Sequence, residues 1–208
     1  SGKIDRVIID TKDVRSRFIV ESPMHFNVWD KIIRKEILDH NCIRFPEQVA
    51  YEDIYFGALL HLYVRKVAYV DAIYYHYYIN PASTVLKKEA AYHGDIITVN
   101  EMLVETLKER GFWETYQKSL EIDLLFIWYL ATVKIICLRF EKPPYEMFCR
   151  LKRSILFYIP ECLKNPYIPV YMKEFYQLLL KLLEIEVTPP VLDQVAEQYK
   201  QYVQTYEG

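Results

Sequence analysis

The residues best suited to chemistry in this chain lie in the stretch FPEQVAYEDIYFGALL, Phe45 to Leu60, where Glu52 and Asp53 stand side by side among Tyr51, Ile54, Tyr55 and Phe56. Residue type alone supports two readings. Acidic residues favour the first turn of a helix, where their charge meets the positive end of the macrodipole and their oxygens accept amides that lack a helical partner. A carboxylate half withdrawn from water beside aromatic rings is also how a general base is commonly placed. Both readings stand open at this point. A hydrolytic pair made of Glu52 and Asp53 together fits less well, because neighbouring residues at a helix start point in divergent directions.

Other chemistries find less support. The histidines His25, His40, His61, His76 and His93 include no H-x-x-x-H pair, and Cys42, Cys137, Cys149 and Cys162 include no C-x-x-C, so neither a metal cluster nor a disulfide framework is expected. Buried, reduced thiols are the expected state. Lys and Arg total 26 against 28 Asp and Glu, a formal charge of −2 that gives no electrostatic case for nucleic acid.

The elements that must position Glu52 and Asp53 belong to a well-packed, helix-rich chain. Of its 208 residues 52% are apolar, 19 are tyrosine and only 5 are glycine, which argues against disorder and against many tight turns. That length allows one substantial core or two small ones. Ser1-Gly2 has the look of a cloning remnant, and no signal peptide opens the chain. The most apolar run, Leu124 to Leu138, is about 15 residues long and includes Lys134, whereas a bilayer span takes about 20. It reads as a buried core helix, with contact at a membrane surface as the lesser alternative. A cytoplasmic location follows, with the inner face of the membrane as the further option.

Residues 1 to 25 are mixed, with a β-like run at Val7, Ile8 and Ile9. Asn27, reinforced by Asp30, can cap a helix whose apolar positions Val28, Trp29, Ile32, Ile33 and Ile37 recur at helical spacing to about His40. A second helix is predicted from about Glu52 to Val64. KVAYV and AIYYHYYI then have the composition of strands, giving about three short strands in this part. From about Lys87 the pattern turns to about five helices, broken at Gly111, Pro143-Pro144, Pro160 to Pro169 and Pro189-Pro190. The fold class expected is therefore α/β over residues 1–86, followed by a mainly helical region over residues 87–208.

The order of motifs over residues 27 to 86, WDKIIRKEIL, IRFPE, YEDIYF and YYHYYINPAST, resembles the second half of the catalytic domain of bacterial family-two glycosyltransferases, inverting enzymes of the GT-A fold. The resemblance implies that residues 1–86 are the acceptor-side part of a GT-A-like domain and residues 87–208 a helical extension. It makes Asp53 the general base and Glu52 its companion near the sugars. Trp29 and Lys31 fall on the W-x-K positions of the acceptor side, whose plain alternative is a core tryptophan and a solvated lysine. Ser83 matches the serine of the loop that closes over the donor diphosphate, and His76 lies near the same place; a turn serine and a packed strand histidine are the alternatives. Tyr78 stands where the family has an arginine, which removes a fixed positive charge from the diphosphate side.

The function implied is transfer of a sugar from a nucleotide-sugar donor to a glycan or glycoconjugate acceptor, as in bacterial polysaccharide biosynthesis. The complete enzyme would use a divalent metal, manganese or magnesium. Asp5, Asp10 and Asp13 form no D-x-D, so the chain reads as truncated, without the donor-binding half, inactive alone and binding no metal. The competing expectation is a non-catalytic helical module whose tyrosine-rich surface binds a protein, a glycan or a membrane face.

Overall fold

Helical spacing of apolar residues governs most of the chain, and helices are what form. The computed structural model describes residues 4–21, 24, 26–76, 78 and 87–206. Strand β1, Ile4–Ile8, and strand β2, Lys66–Val70, make an antiparallel two-stranded sheet in which Val7 faces Val67 and Ile8 faces Lys66. Between them lie α1, Lys12–Glu21, α2, Lys35–His40, and α3, Glu52–Tyr63. A 3-10 turn, Ala91–Gly94, leads into α4, Asp95–Glu109, then α5, Phe112–Leu124. A π-helical segment, Leu125–Leu130, continues from it into α6, Ala131–Leu138, and beyond lie α7, Tyr145–Tyr158, α8, Ile168–Tyr171, α9, Glu174–Leu180, and α10, Pro189–Tyr206.

This corrects the expected fold class. The chain is 65% helix and 5% strand, and among the described residues the one sheet has two strands, so they form no α/β unit of the GT-A kind ahead of the helical region. The reason is visible at AIYYHYYI: the segment from Asp71 to His76 is exposed coil, because strand composition makes no ladder without a partner strand. The helix expected from Asn27 is also shorter. Asn27 donates to Asp30 Oδ2 at 3.0 Å and its carbonyl accepts from Lys31 Nζ, closing a local turn, and helix begins only at Lys35.

One hydrophobic core runs from Ile9 to Tyr199 and joins elements from both sides of residues 79–86, a stretch outside the described residues. α3 packs on α4 and α1, and α1 on α5. The run from Leu124 to Leu138 is the spine of that core. Leu125, Trp128, Tyr129, Val133, Ile136 and Cys137 are fully buried, each large apolar side chain contributing about 1.5–3 kcal/mol. The Tyr129 hydroxyl is satisfied by Leu179 O at 2.7 Å, and the Thr132 hydroxyl returns to Trp128 O at 2.6 Å where the π turn ends. No helix among the described residues is long and apolar enough to cross a membrane.

Punctuation follows backbone chemistry. Gly111 takes φ 71°, a left-handed conformation, between α4 and α5, and Pro144 sits just before α7 where no amide is needed. Gly57, in the middle of α3, is a different case. A Cβ there would lie 2.5 Å from Phe26 Cδ1 and 2.9 Å from Phe26 Cα, so the glycine lets the chain at Phe26 lie directly on the helix.

Gly57→Ala therefore sets helix propensity, which favours alanine by about 1 kcal/mol, against a backbone clash that costs about 1–3 kcal/mol. The clash is expected to win. Urea unfolding should show a net loss of stability; a gain would mean that the Phe26 segment moves aside freely.

Candidate functional site

The site is assembled where α3 begins. Tyr51 precedes the helix at φ 64°, Gln48 has φ 60° and Cys42 φ 49°, so three non-glycine residues in the ten before Glu52 hold left-handed conformations. Such conformations persist only where surroundings over-determine them. Here α4 clamps the loop from both ends. Arg110, just past the end of α4, donates to Asn41 O at 2.7 Å and Cys42 O at 3.3 Å, while Asp95 at its start accepts from the Ala50 amide at 3.0 Å. Phe45 stacks on Phe56 with ring centroids 4.2 Å apart, and the Tyr51 hydroxyl meets His93 Nδ1 at 2.5 Å.

The other nitrogen of that ring has a partner as well. Lys87 O, which can only accept, lies 2.8 Å from His93 Nε2, so Nε2 is a donor and Nδ1 is the nitrogen that meets the Tyr51 hydroxyl. Both groups are withdrawn from water, His93 completely, and burial pushes the Tyr51 hydroxyl up to about 12. The pair holds Tyr51 in its left-handed position. Residues 42 apart in sequence gave no signal of it.

Asp53 is half-buried and Glu52 exposed. Asp53 occupies the second position of α3, and Tyr51 before the helix makes no side-chain cap. Desolvation raises the Asp53 carboxyl above its ordinary value and the charge of Glu52 adds to it, while the amides of Ile54 and Asp53 and the ammonium of Lys31 oppose the shift. Desolvation wins. Asp53 thus meets first-turn amides and is also a carboxylate short of water.

Lys31 is brought close enough to act on Asp53, with its ammonium also bonded to Asn27 O and Asp30. Trp29 is 44% exposed rather than in the core, and its ring lies 6.4 Å from that of Tyr75, a residue the spacing did not single out. His76, next to Tyr75, is exposed in coil rather than packed in a strand. Ser83 lies outside the described residues. Among the described residues no three His, Cys, Asp or Glu side chains come together in a way that could hold a metal ion.

The raised Asp53 carboxyl fixes the sign of a pH effect. In the unfolded chain it titrates at its ordinary 3.8 and in the folded chain above that, so folding gains from the protonated form and the gain disappears as pH rises through the folded value. Asp53→Asn keeps the shape without the charge. It is expected to be at least as stable as wild type at about pH 7, with its advantage closing as pH falls through the folded value and gone below the unfolded one, read from urea midpoints across that range. A loss of about 1 kcal/mol in Asp53→Asn at neutral pH would instead mean that the favourable helix-end interaction outweighs desolvation.

No protein-family model matches the chain, and no curated protein and no solved structure matches it either.

Proposed function

We propose that the surface around Asp53 is the acceptor side of a sugar-transfer site, in which Asp53 is the general base. The observation that carries this reading is the half-buried Asp53 carboxyl, raised by desolvation at the rigid start of α3, with Lys31 beside it, the exposed ring of Trp29 close along the chain from Lys31, and Tyr75 against the Trp29 ring. The order of motifs from WDKIIRKEIL to YYHYYINPAST supports it. A sugar offers C–H groups on one face and hydroxyls at its rim, which suits an aromatic pair flanked by a carboxylate and an ammonium.

The chemistry asked of Asp53 is one proton transfer. As an acceptor oxygen attacks the anomeric carbon of a nucleotide-sugar, the bond from that carbon to the diphosphate oxygen breaks and its electron pair leaves with the diphosphate. The hydroxyl proton passes to Asp53. A carboxyl above its ordinary value is a better base for this step, and positioned general bases contribute about 10²- to 10⁴-fold.

A second reading has its own observation. Ile32 is 103%, Tyr78 91%, and Ile73 and Tyr74 each 82% exposed, an amount of bare apolar surface that suits a partner-binding module with no catalytic role.

Acceptor binding separates the two. Titration of oligosaccharides, followed by tryptophan fluorescence, is expected to show saturable binding that Trp29→Ala abolishes and Asp53→Asn leaves within about twofold, because Asp53 acts in the chemical step. Where transfer from a nucleotide-sugar is measured, Asp53→Asn should lower the single-turnover rate by about 10²-fold with donor binding retained. Full activity in Asp53→Asn removes Asp53 from the base role, and absence of any glycan binding favours the partner-binding module.

A further inference from the structure

At the other end of α3 the chain lines an open-mouthed cavity of about 470 Å³ between the turn from β1 to α1 and the start of β2. Four cations line it, Lys12, Arg15, Arg65 and Lys66, against the single acid Asp10. α3 has 12 residues, so at 1.5 Å per residue this cavity lies about 18 Å along the helix from Asp53. The cavity and the Asp53 surface share no residue that lines or contacts both.

Local structure accounts for part of this charge and leaves the rest over. Arg15 is 7% exposed and donates from its NH1 group to His61 O at 2.6 Å, so it caps the last turn of α3. The Arg65 carbonyl accepts the Ile9 amide at 2.8 Å, which ties its backbone to the turn before α1. Among the described residues no carboxylate forms an ion pair with Lys12, Arg15, Arg65 or Lys66. Burial holds the Arg15 guanidinium below its ordinary value and Arg65 adds to this, while Tyr116 on the cavity wall opposes both. Arg65 therefore crowds the buried Arg15, and Lys12 and Lys66 line the same concave space, which is large enough for a small ligand.

The wall adds donors. Thr11 ends the turn before α1, its hydroxyl accepting from the Val14 amide at 3.2 Å and its carbonyl from the Arg15 amide at 3.0 Å. The two amides before those, of Lys12 and Asp13, begin the helix and have no carbonyl within it to bind. α5 is kinked at Tyr116, which has φ −125° and ψ 18°, so the opposite wall is shaped at the residue that meets Arg15.

We infer that this cavity binds a phosphate or diphosphate group, held by Arg65, Lys66 and Lys12 at its mouth and by Arg15 at its base. Guanidinium forks match the geometry of phosphate oxygens, and the ammonium groups supply further charge. The inference is independent of the sugar-transfer reading, because it uses none of the residues assigned to it.

Pyrophosphate is the probe, titrated calorimetrically into the full chain at low ionic strength. Arg65 and Lys66 are exposed, so Arg65→Gln/Lys66→Gln removes two contacts without disturbing the core, and an unchanged melting temperature checks this. Lys88→Gln/Lys142→Gln, at exposed positions outside the cavity, removes the same net charge. Wild type is expected to bind saturably, with affinity lowered by about fivefold or more in the first variant and by less in the second. Vesicles holding phosphatidic acid distinguish the carrier. Retention on them that pyrophosphate competes away assigns a lipid headgroup, and binding of pyrophosphate without vesicle retention assigns a soluble ligand. Absence of saturable pyrophosphate binding, a loss below fivefold at Arg65 and Lys66, or an equal loss in the second variant overturns the inference.

Discussion

The structure depends on the burial of one helix. In α3 the seven residues from Phe56 to Leu62 are all buried, His61 included, so the helix cannot rest one apolar stripe on a surface and must be wrapped. α4 and α1 cover two sides, and the chain at Phe26 covers a third through the gap that Gly57 leaves. His61 shows how tight the wrapping is. Its Nε2 meets Met24 O at 2.8 Å, its Nδ1 has no partner, and burial drives the ring down to about 4, so it stays neutral between Phe18 and Phe26. A helix held this way cannot slide, and both of its ends become fixed points. One end carries Asp53 and the other faces the cationic cavity.

At the Asp53 end the competition between effects has a clear winner. First-turn amides and Lys31 favour the charged carboxylate, yet desolvation and Glu52 together outweigh them. That ordering is what separates a poised base from an ordinary helix-end acid, which would be stabilised in its charged form. The left-handed residues Cys42, Gln48 and Tyr51 belong to the same economy of position: Arg110, Asp95 and the Tyr51–His93 contact hold the loop in a shape it would not choose, and the loop delivers Asp53 where water is scarce.

Much of this was legible in the sequence where local chemistry decides. YEDIYFGALLHLY forms α3 close to the expected limits, the breaks at Gly111, Pro144 and Pro189 mark real helix ends, and the run from Leu124 to Leu138 is buried as its apolar content implies. Legibility failed where tertiary context decides. KDVRSRFIVE forms α1 with a mixed polar pattern that carries little helical periodicity, because its burial is confined to Arg15, Phe18 and Ile19. AIYYHYYI has strand composition, yet its described part from Ala72 to His76 is coil, and the α/β expectation fell with it. The partners Tyr51 and His93, Trp29 and Tyr75, and Arg15 and Arg65 are each more than 40 residues apart, so no spacing rule could join them.

The claim on which the functional account rests is that the Asp53 carboxyl is held above its ordinary proton affinity by its surroundings. Carboxyl-carbon NMR titration of Asp53 in the folded chain measures this directly. The account predicts a midpoint above 3.8 that moves down when Glu52→Gln removes the neighbouring charge. A midpoint at or below 3.8 in the wild-type chain would contradict it, leaving Asp53 a helix-end acid.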